Sequence, residues 1–199
     1  MIDHLVYAAP DLSAAVADIA RRTGVDPIPG GPHVGLGTRN HLLGLGGPTY
    51  LEIVGPDPDQ PAPDAPRPFG VDDLTAPALV AWAVATSDID AAVARARAAG
   101  YEPGPAHDMS RRRPDGRVLQ WRLTPLITGL VPFLIDWGDT PHPAAELPVV
   151  PLISFEAVHP EPDAVRADLA ALGAELPVRQ GGRELLTARL QGREGVVSL

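Results

Sequence analysis

Chemistry in this chain has to be done without sulfur nucleophiles or side-chain amines. Its 199 residues contain no cysteine and no lysine, so all 16 basic residues are arginine. A thiolate nucleophile, a disulfide, a cysteine-ligated zinc, a Schiff-base lysine and a phosphate-loop lysine are therefore excluded. What remains is His, Asp, Glu, Arg, Tyr, Ser or Thr, with or without a metal. His33 ends a Gly30-Gly31-Pro32-His33 segment just before Thr38-Arg39-Asn40, and Asn40 is the only asparagine in the chain. Glycine-rich backbone lets amides and short polar groups approach a ligand closely, which makes His33, Thr38 and Asn40 candidate binding residues. On a strand, Arg39 and His41 would point away from the face that carries Asn40. Arg122 follows Trp121 in an alternating stretch, so the two take opposite faces. A buried guanidinium at Arg122 would bind a carboxylate or phosphate in bidentate fashion. His107, His142 and His159 lie in loop-like, proline-flanked contexts without partners by spacing, and read as surface residues. Gly-x-Ser-x-Gly, Gly-x-Gly-x-x-Gly, His-Glu-x-x-His and EF-hand patterns are absent from the sequence, which disfavours serine-hydrolase, dinucleotide and zincin chemistry.

The elements that must position these residues come in copies. Residues 4–24 (HLVYAAPDLSAAVADIARRTG) align with residues 81–100 (AWAVATSDIDAAVARARAAG) at an offset of 77. Each is a short apolar strand, an aspartate that can cap a helix (Asp11, Asp88), an Ala-rich helix and a stop glycine (Gly24, Gly100). Strands are expected after each helix: near 34–37, 41–46 and 49–54 in the first copy, and at 118–124 and 130–137 in the second. Gly46-Gly47-Pro48 and Pro114-Asp115-Gly116 supply turns. Both copies thus read β-α-β-β-β. A third, partial copy starts at 153–173, again strand, turn, helix and glycine. The expected division is a first module at 1–55, a Pro-rich linker at 56–76, a second module at 77–138, and a linker with a partial C-terminal module at 139–199.

The formal charge of −9 argues against general affinity for nucleic acid or an anionic membrane. No apolar run approaches the roughly 20 residues of a membrane helix. The start Met1-Ile2-Asp3-His4 has no basic leader, so a soluble cytoplasmic protein is expected.

Several segments together carry a family resemblance: Asp3-His4-Leu5-Val6-Tyr7, Gly30-Gly31-Pro32-His33, Gly37-Thr38-Arg39-Asn40, Tyr50-Leu51-Glu52-Ile53-Val54 and Pro132-Phe133-Leu134-Ile135-Asp136-Trp137-Gly138. With its paired βαβββ units, the chain resembles the glyoxalase-like domain family of the vicinal-oxygen-chelate superfamily. That superfamily includes glyoxalase I, extradiol dioxygenases and the fosfomycin and bleomycin resistance proteins. The resemblance implies an α+β fold in which paired βαβββ modules curl into a cup, with metal ligands on the first and last strands of each module. His4 and Glu52 match the first module's pair and are the candidate catalytic or metal-binding residues. The matching second-module positions are Ala81 and Ile135, so a divalent metal would lack half of the usual set. The resemblance also favours Arg111, first of three consecutive arginines, as a residue reaching into the cup. Phe133 and Trp137 share parity with Ile135 and would form an apolar wall, and Trp121 is a further candidate substrate contact. Asp136, on the opposite parity, would pair structurally with an arginine.

Two functions follow as expectations. One is a lyase or isomerase acting on a small anionic molecule, with His4 or Glu52 as base or metal ligand and Arg111 or Arg122 holding the charge. A carboxylate against an apolar wall is a stronger base than one in water, which suits proton abstraction next to a carbonyl. The other is a module that binds a drug or metabolite without turnover, as the resistance proteins do. Relatives pair modules within or between chains, which leaves a homodimer open. A cup filled by its own side chains would leave only an interaction partner.

Overall fold

The computed structural model describes residues 1–112, 116 and 118–199. The predicted turn at Pro114-Asp115-Gly116 therefore lies, Gly116 apart, outside the described residues, as does Arg113. The first module runs β1 (Ile2–Ala8), α1 (Leu12–Thr23), β2 (Ile28–His33), β3 (Thr38–Gly46) and β4 (Thr49–Pro56). The second runs β5 (Ala78–Ala85), α2 (Ile89–Ala98), β6 (His107–Arg112), β7 (Val118–Leu123) and β8 (Phe133–Asp136). The third runs β9 (Leu152–His159), α3 (Pro162–Leu172), β10 (Val178–Gln180), β11 (Leu185–Gly192) and β12 (Gly195–Ser198).

The aspartates act as the repeat requires. Asp11 accepts from the Ala14 amide at 3.0 Å and Asp88 from the Ala91 amide at 2.9 Å, which satisfies helix donors that have no internal partner. Gly24 closes α1 at φ 72°, in the left-handed region that favours glycine. The first expected post-helix strand is misplaced. Residues 34–37 form a turn, and β2 lies earlier, at Ile28–His33, because Gly35 and Gly37 take positive φ and reverse the chain there. His107 opens β6 rather than lying in a loop.

Both modules share one eight-stranded sheet in the order β2-β3-β4-β1-β5-β8-β7-β6. It is curled and nearly closed, with β2 and β6 approaching each other at its ends. Within each module the first and last strands are parallel neighbours (β1 with β4, β5 with β8), and β1 meets β5 antiparallel at the centre. Strand alternation then separates two apolar bodies. Val6, Ala8, Val54, Ala81, Ala83, Phe133 and Ile135 face inward. Leu5, Tyr7, Leu51, Ile53, Trp82 and Leu134 face outward, where they meet α1 and α2.

The third module has the element order of the other two but a different strand order. Its four-stranded sheet runs β10-β9-β11-β12, so β10 pairs with the first strand, β9, in parallel. It covers the outer face of the large sheet, where Phe155 meets Trp82 edge-on with ring centroids 5.4 Å apart. The connecting stretch before it is not a free linker. Gly44 of β3 donates to the Pro148 carbonyl at 2.8 Å and accepts from the Val150 amide at 2.9 Å. A Cβ on Gly44 would sit 3.1 Å from the Pro148 oxygen and 3.2 Å from Val149, so glycine is what lets this segment lie flat on β3.

Candidate functional site

His4 and Asp3 are sequence neighbours, and on a regular strand their side chains would point to opposite faces. Here the β1–β5 register slips between Ile2 and His4, a bulge that re-aims Asp3. The buried Asp3 carboxylate consequently accepts from three groups. His4 Nδ1 lies 2.6 Å from its Oδ1, while Trp137 Nε1 and His142 Nε2 each lie 3.0 Å from its Oδ2. His142 Nδ1 is the acceptor for the Ala144 amide at 3.2 Å, so its Nε2 is the protonated nitrogen that donates to Asp3. With Nδ1 committed to Asp3, His4 turns Nε2 toward Glu52 Oε2, 3.6 Å away on β4. The His4 ring is stacked on Tyr50 at 4.8 Å and meets Phe133 edge-on at 5.5 Å.

Glu52 anchors a second chain of polar groups. Asn40 of β3 donates through Nδ2 to Glu52 Oε1 at 2.5 Å and to His33 Nε2 at 3.1 Å. Arg111 of β6 donates to Asn40 Oδ1 at 3.0 Å, which fixes the amide orientation and makes Nδ2 the donor. His33 Nε2 must then accept, and its Nδ1–H donates to Thr38 Oγ1 at 2.9 Å. The structure thus brings His4, His33, Thr38, Asn40, Glu52 and Arg111 into one connected network, although they come from four strands of one module and one strand of the other. His41 and Arg39 lie outside it, as alternation requires.

The opposite wall is apolar. Phe69, Met109, Trp121, Leu123, Leu126, Phe133, Ile135 and Trp137 close around a cavity of about 60 Å³, room for a few waters or the reactive end of a small ligand. Trp121 faces this cavity, so Arg122 faces out. There it binds Asp90 through two nitrogens at 2.7 and 3.0 Å and lies 3.3 Å from Asp108. The candidate role of Arg122 as an inward anchor is not supported by this placement. Among the described residues, Asp136 makes no hydrogen bond to an arginine. It accepts from the Ile89 amide at the start of α2 and from Gly138. His142, read as a surface residue, is half-buried between Tyr50 and Trp137 with ring centroids 5.7 and 5.5 Å away. Asp3, Tyr50 and Phe69 were also missed as neighbours of the site. Tyr50 had a signal, since it shares strand parity with Glu52. Asp3 and His142 had none.

Burial and charge set the protonation states. Burial opposes ionisation of Asp3, but the hydrogen bonds from His142 and His4 and their charge outweigh it and hold the carboxyl well below its ordinary range. Burial likewise opposes protonation of His4, yet the hydrogen bond to Asp3 and the charges of Asp3 and Glu52 raise its pKa above the ordinary imidazole value. His33 goes the other way, because burial dominates and lowers its pKa. Its neutral form agrees with its acceptor nitrogen. Burial, reinforced by Asp3 and Glu52, pushes the Tyr50 phenol well up.

Comparison with known proteins fits this architecture. The chain matches the model of the glyoxalase-like domain over residues 2–173. It belongs to the glyoxalase-like domain family, within the vicinal-oxygen-chelate superfamily. This glyoxalase-like chain matches no curated protein in sequence. In structure it is similar to a hypothetical protein from Staphylococcus aureus, with TM-score 0.66 and 12% identity over 92% of this chain and 87% of that one. A triple-mutant 4-hydroxymandelate synthase from Streptomyces coelicolor matches with TM-score 0.54 and 16% identity, over 100% of this chain and 61% of that one. A methylmalonyl-CoA epimerase from Mycobacterium tuberculosis matches with TM-score 0.44 and 18% identity, over 68% of this chain and 86% of that one.

The superfamily's divalent metal does not fit the residues of this glyoxalase-like cup. Among the described residues, only His4 Nε2 and Glu52 are aimed as ligands, while Ala81 and Ile135 occupy the second-module positions and are buried apolar residues. His33 Nε2 already accepts from Asn40. Among the described residues, no group of three His, Asp or Glu side chains is arranged to hold an ion.

One glycine sets the tightness of the network. A Cβ on Gly30 would fall 2.1 Å from Asn40 Oδ1 and 3.2 Å from Arg111 Nη1. Gly30→Ala is therefore expected to push Asn40 off both Glu52 and Arg111 and to destabilise the fold by about 1–3 kcal/mol, the usual cost of overpacking. Urea unfolding curves compared with wild type check this.

Proposed function

We propose that the cup binds a small organic acid and moves a proton at the carbon next to its carbonyl group, as a lyase or isomerase without a metal. The observation that carries this reading is the facing pair of His4 Nε2 and Glu52 Oε2, set in an apolar cavity with the Arg111 guanidinium at its edge. The Asp3 and Glu52 carboxylates flank His4, whose pKa they raise, and Asn40 links Glu52 to the Arg111 guanidinium. Charges buried in this way persist only when they are compensated.

In this reading Arg111 receives the substrate's carboxylate, which guanidinium geometry suits. Glu52 takes the proton from the carbon, and the electron pair moves to the carbonyl oxygen. The His4 Nε2–H, held toward the cavity, donates to that oxygen and stabilises the developing negative charge. Return of the proton from Glu52 to the same carbon gives exchange, its delivery on that face to a more distant carbon of a conjugated enolate gives isomerisation, and loss of a leaving group from the neighbouring carbon gives elimination. Trp121, Phe133, Ile135 and Trp137 hold the apolar body of the molecule and exclude water. Thr38 and His33 orient Asn40 and take no part in proton transfer. A small-molecule ligand is the only partner this reading requires.

The test is proton exchange. Incubation in D₂O with a panel of alkyl and aryl 2-oxo and 3-oxo acids, followed by NMR, should show deuterium entering the carbon next to the carbonyl for at least one member. Arg111→Gln should weaken binding of that acid, while Arg122→Ala, whose partners lie outside the cup, should leave it unchanged. The apolar character of the second-module wall favours the alternative, a binding protein without turnover. Ligand-induced thermal stabilisation with no exchange for any bound acid would establish that reading instead.

A further inference from the structure

Segment 139–150, between the second and third modules, reaches back into the site. Its 3-10 turn at Pro143–Glu146 is preceded by His142. Leu147 and Ala144 pack on Leu42 and Tyr50 at the closed end of the cup. The parallel bridge between Gly44 and Val149 pins the segment to β3. His142 is thereby held with Nδ1 accepting from Ala144 and Nε2–H donating to Asp3, on the opposite carboxylate oxygen from the one that binds His4.

We propose that His142 is a positioning residue of the cup: through Asp3, it holds the His4 ring with Nδ1–H bound and Nε2 turned to the cavity. A carboxylate on a bulge at the start of a strand has its own rotational freedom. His4 constrains one oxygen only. Trp137 and His142 constrain the other, from β8's end and from the inter-module segment, so the Asp3 plane is fixed by groups from three separate parts of the chain. Remove the His142 donor and Oδ2 keeps only the Trp137 contact, so the carboxylate is held less tightly and the short Asp3–His4 contact is the bond that loosens. The cup of the first two modules is then incomplete without the segment that leads to the third. This inference deepens the proton-transfer reading, and it rests on that reading for its catalytic meaning.

The experiment reads the ligand-free protein, so that its failure is separable from failure of the proposed reaction. In ¹⁵N-labelled histidine spectra, wild-type His4 should show a protonated Nδ1 with a far-downfield proton resonance that is protected from solvent exchange. His4→Gln assigns the signal by removing the ring that carries it. His142→Phe keeps a ring between Tyr50 and Trp137 but removes the donor, and should lose the signal to exchange while circular dichroism and the melting transition stay cooperative. His142→Gln, whose side-chain amide can still donate to Asp3, should restore it. A His142→Phe protein with the wild-type His4 signal overturns the proposal, as does failure of His142→Gln to recover a signal lost in His142→Phe. Should His142→Phe fail to fold, Gly44→Val, which blocks docking of the segment on β3, is read in its place: the proposal expects loss of the same signal, and an intact signal overturns it.

Discussion

Asp3→Ala should be the most damaging single substitution at the site, lowering the stability of the folded chain by about 3–5 kcal/mol, the range seen when one partner of a buried charged pair is removed. Three donors, on His4, Trp137 and His142, converge on this carboxylate, which is 1% exposed. Truncation leaves all three without their acceptor and leaves His4 without the neighbour that stabilises its charge. Asp3→Asn should cost less, because one amide oxygen can still accept. Denaturant unfolding at neutral pH, with slopes compared to confirm a two-state transition, measures both.

The pH dependence of the same variant carries a defined sign. The folded-state pKa of Asp3 lies below its unfolded value. Its contribution is therefore fully present above the unfolded aspartate pKa and is lost as the pH falls toward the folded value. His4 has a raised folded pKa, so its contribution is present below the unfolded imidazole pKa and is lost as the pH rises through the folded one. His33, with a lowered pKa, costs stability as the pH falls below the unfolded imidazole value. Wild type should thus lose stability on both acidification and alkalinisation. Asp3→Ala should flatten the acid limb and, since Asp3 is a main reason for the raised His4 pKa, the alkaline limb as well.

Strand alternation fixed the direction of part of the site. Phe133 and Trp137 share parity with Ile135 and line the cavity with it, whereas His4 and Glu52 were legible through the family resemblance. Asn40 is inside and Arg39 and His41 outside for the same reason. The capping aspartates were equally plain, since a helix start has local chemistry. What escaped notice was whatever a local rule could not reach. Asp3 breaks alternation through a bulge, and a bulge has no signature in a seven-residue strand. His142 acts over 139 residues of chain, on a segment whose prolines make it read as a linker. For Trp121 and Arg122, alternation said that one faces in and one out, but not which. The carboxylates of Asp90 and Asp108 decide that the arginine stays outside.

Glu52→Gln should reduce the exchange rate of a responsive acid by roughly 10²–10⁴-fold, the usual contribution of a positioned general base. That corresponds to about 3–5 kcal/mol of transition-state stabilisation. The substitution is nearly isosteric, and a glutamine that turns its oxygen to Asn40 Nδ2 keeps the 2.5 Å contact of the wild-type carboxylate. What it removes is the basic oxygen that faces His4. If Glu52 serves only to bind ligand, KM should rise with kcat unchanged. If it is the base, kcat should fall with KM little altered. The same substitution separates the base from the acid. His4→Gln retains an Nε donor toward the carbonyl oxygen but no transferable proton, so it should be less damaging than Glu52→Gln in an exchange assay that needs only proton removal. Equal losses for both would mean that the pair works as a unit, and a greater loss for His4→Gln would reverse the assignment and make His4 the base.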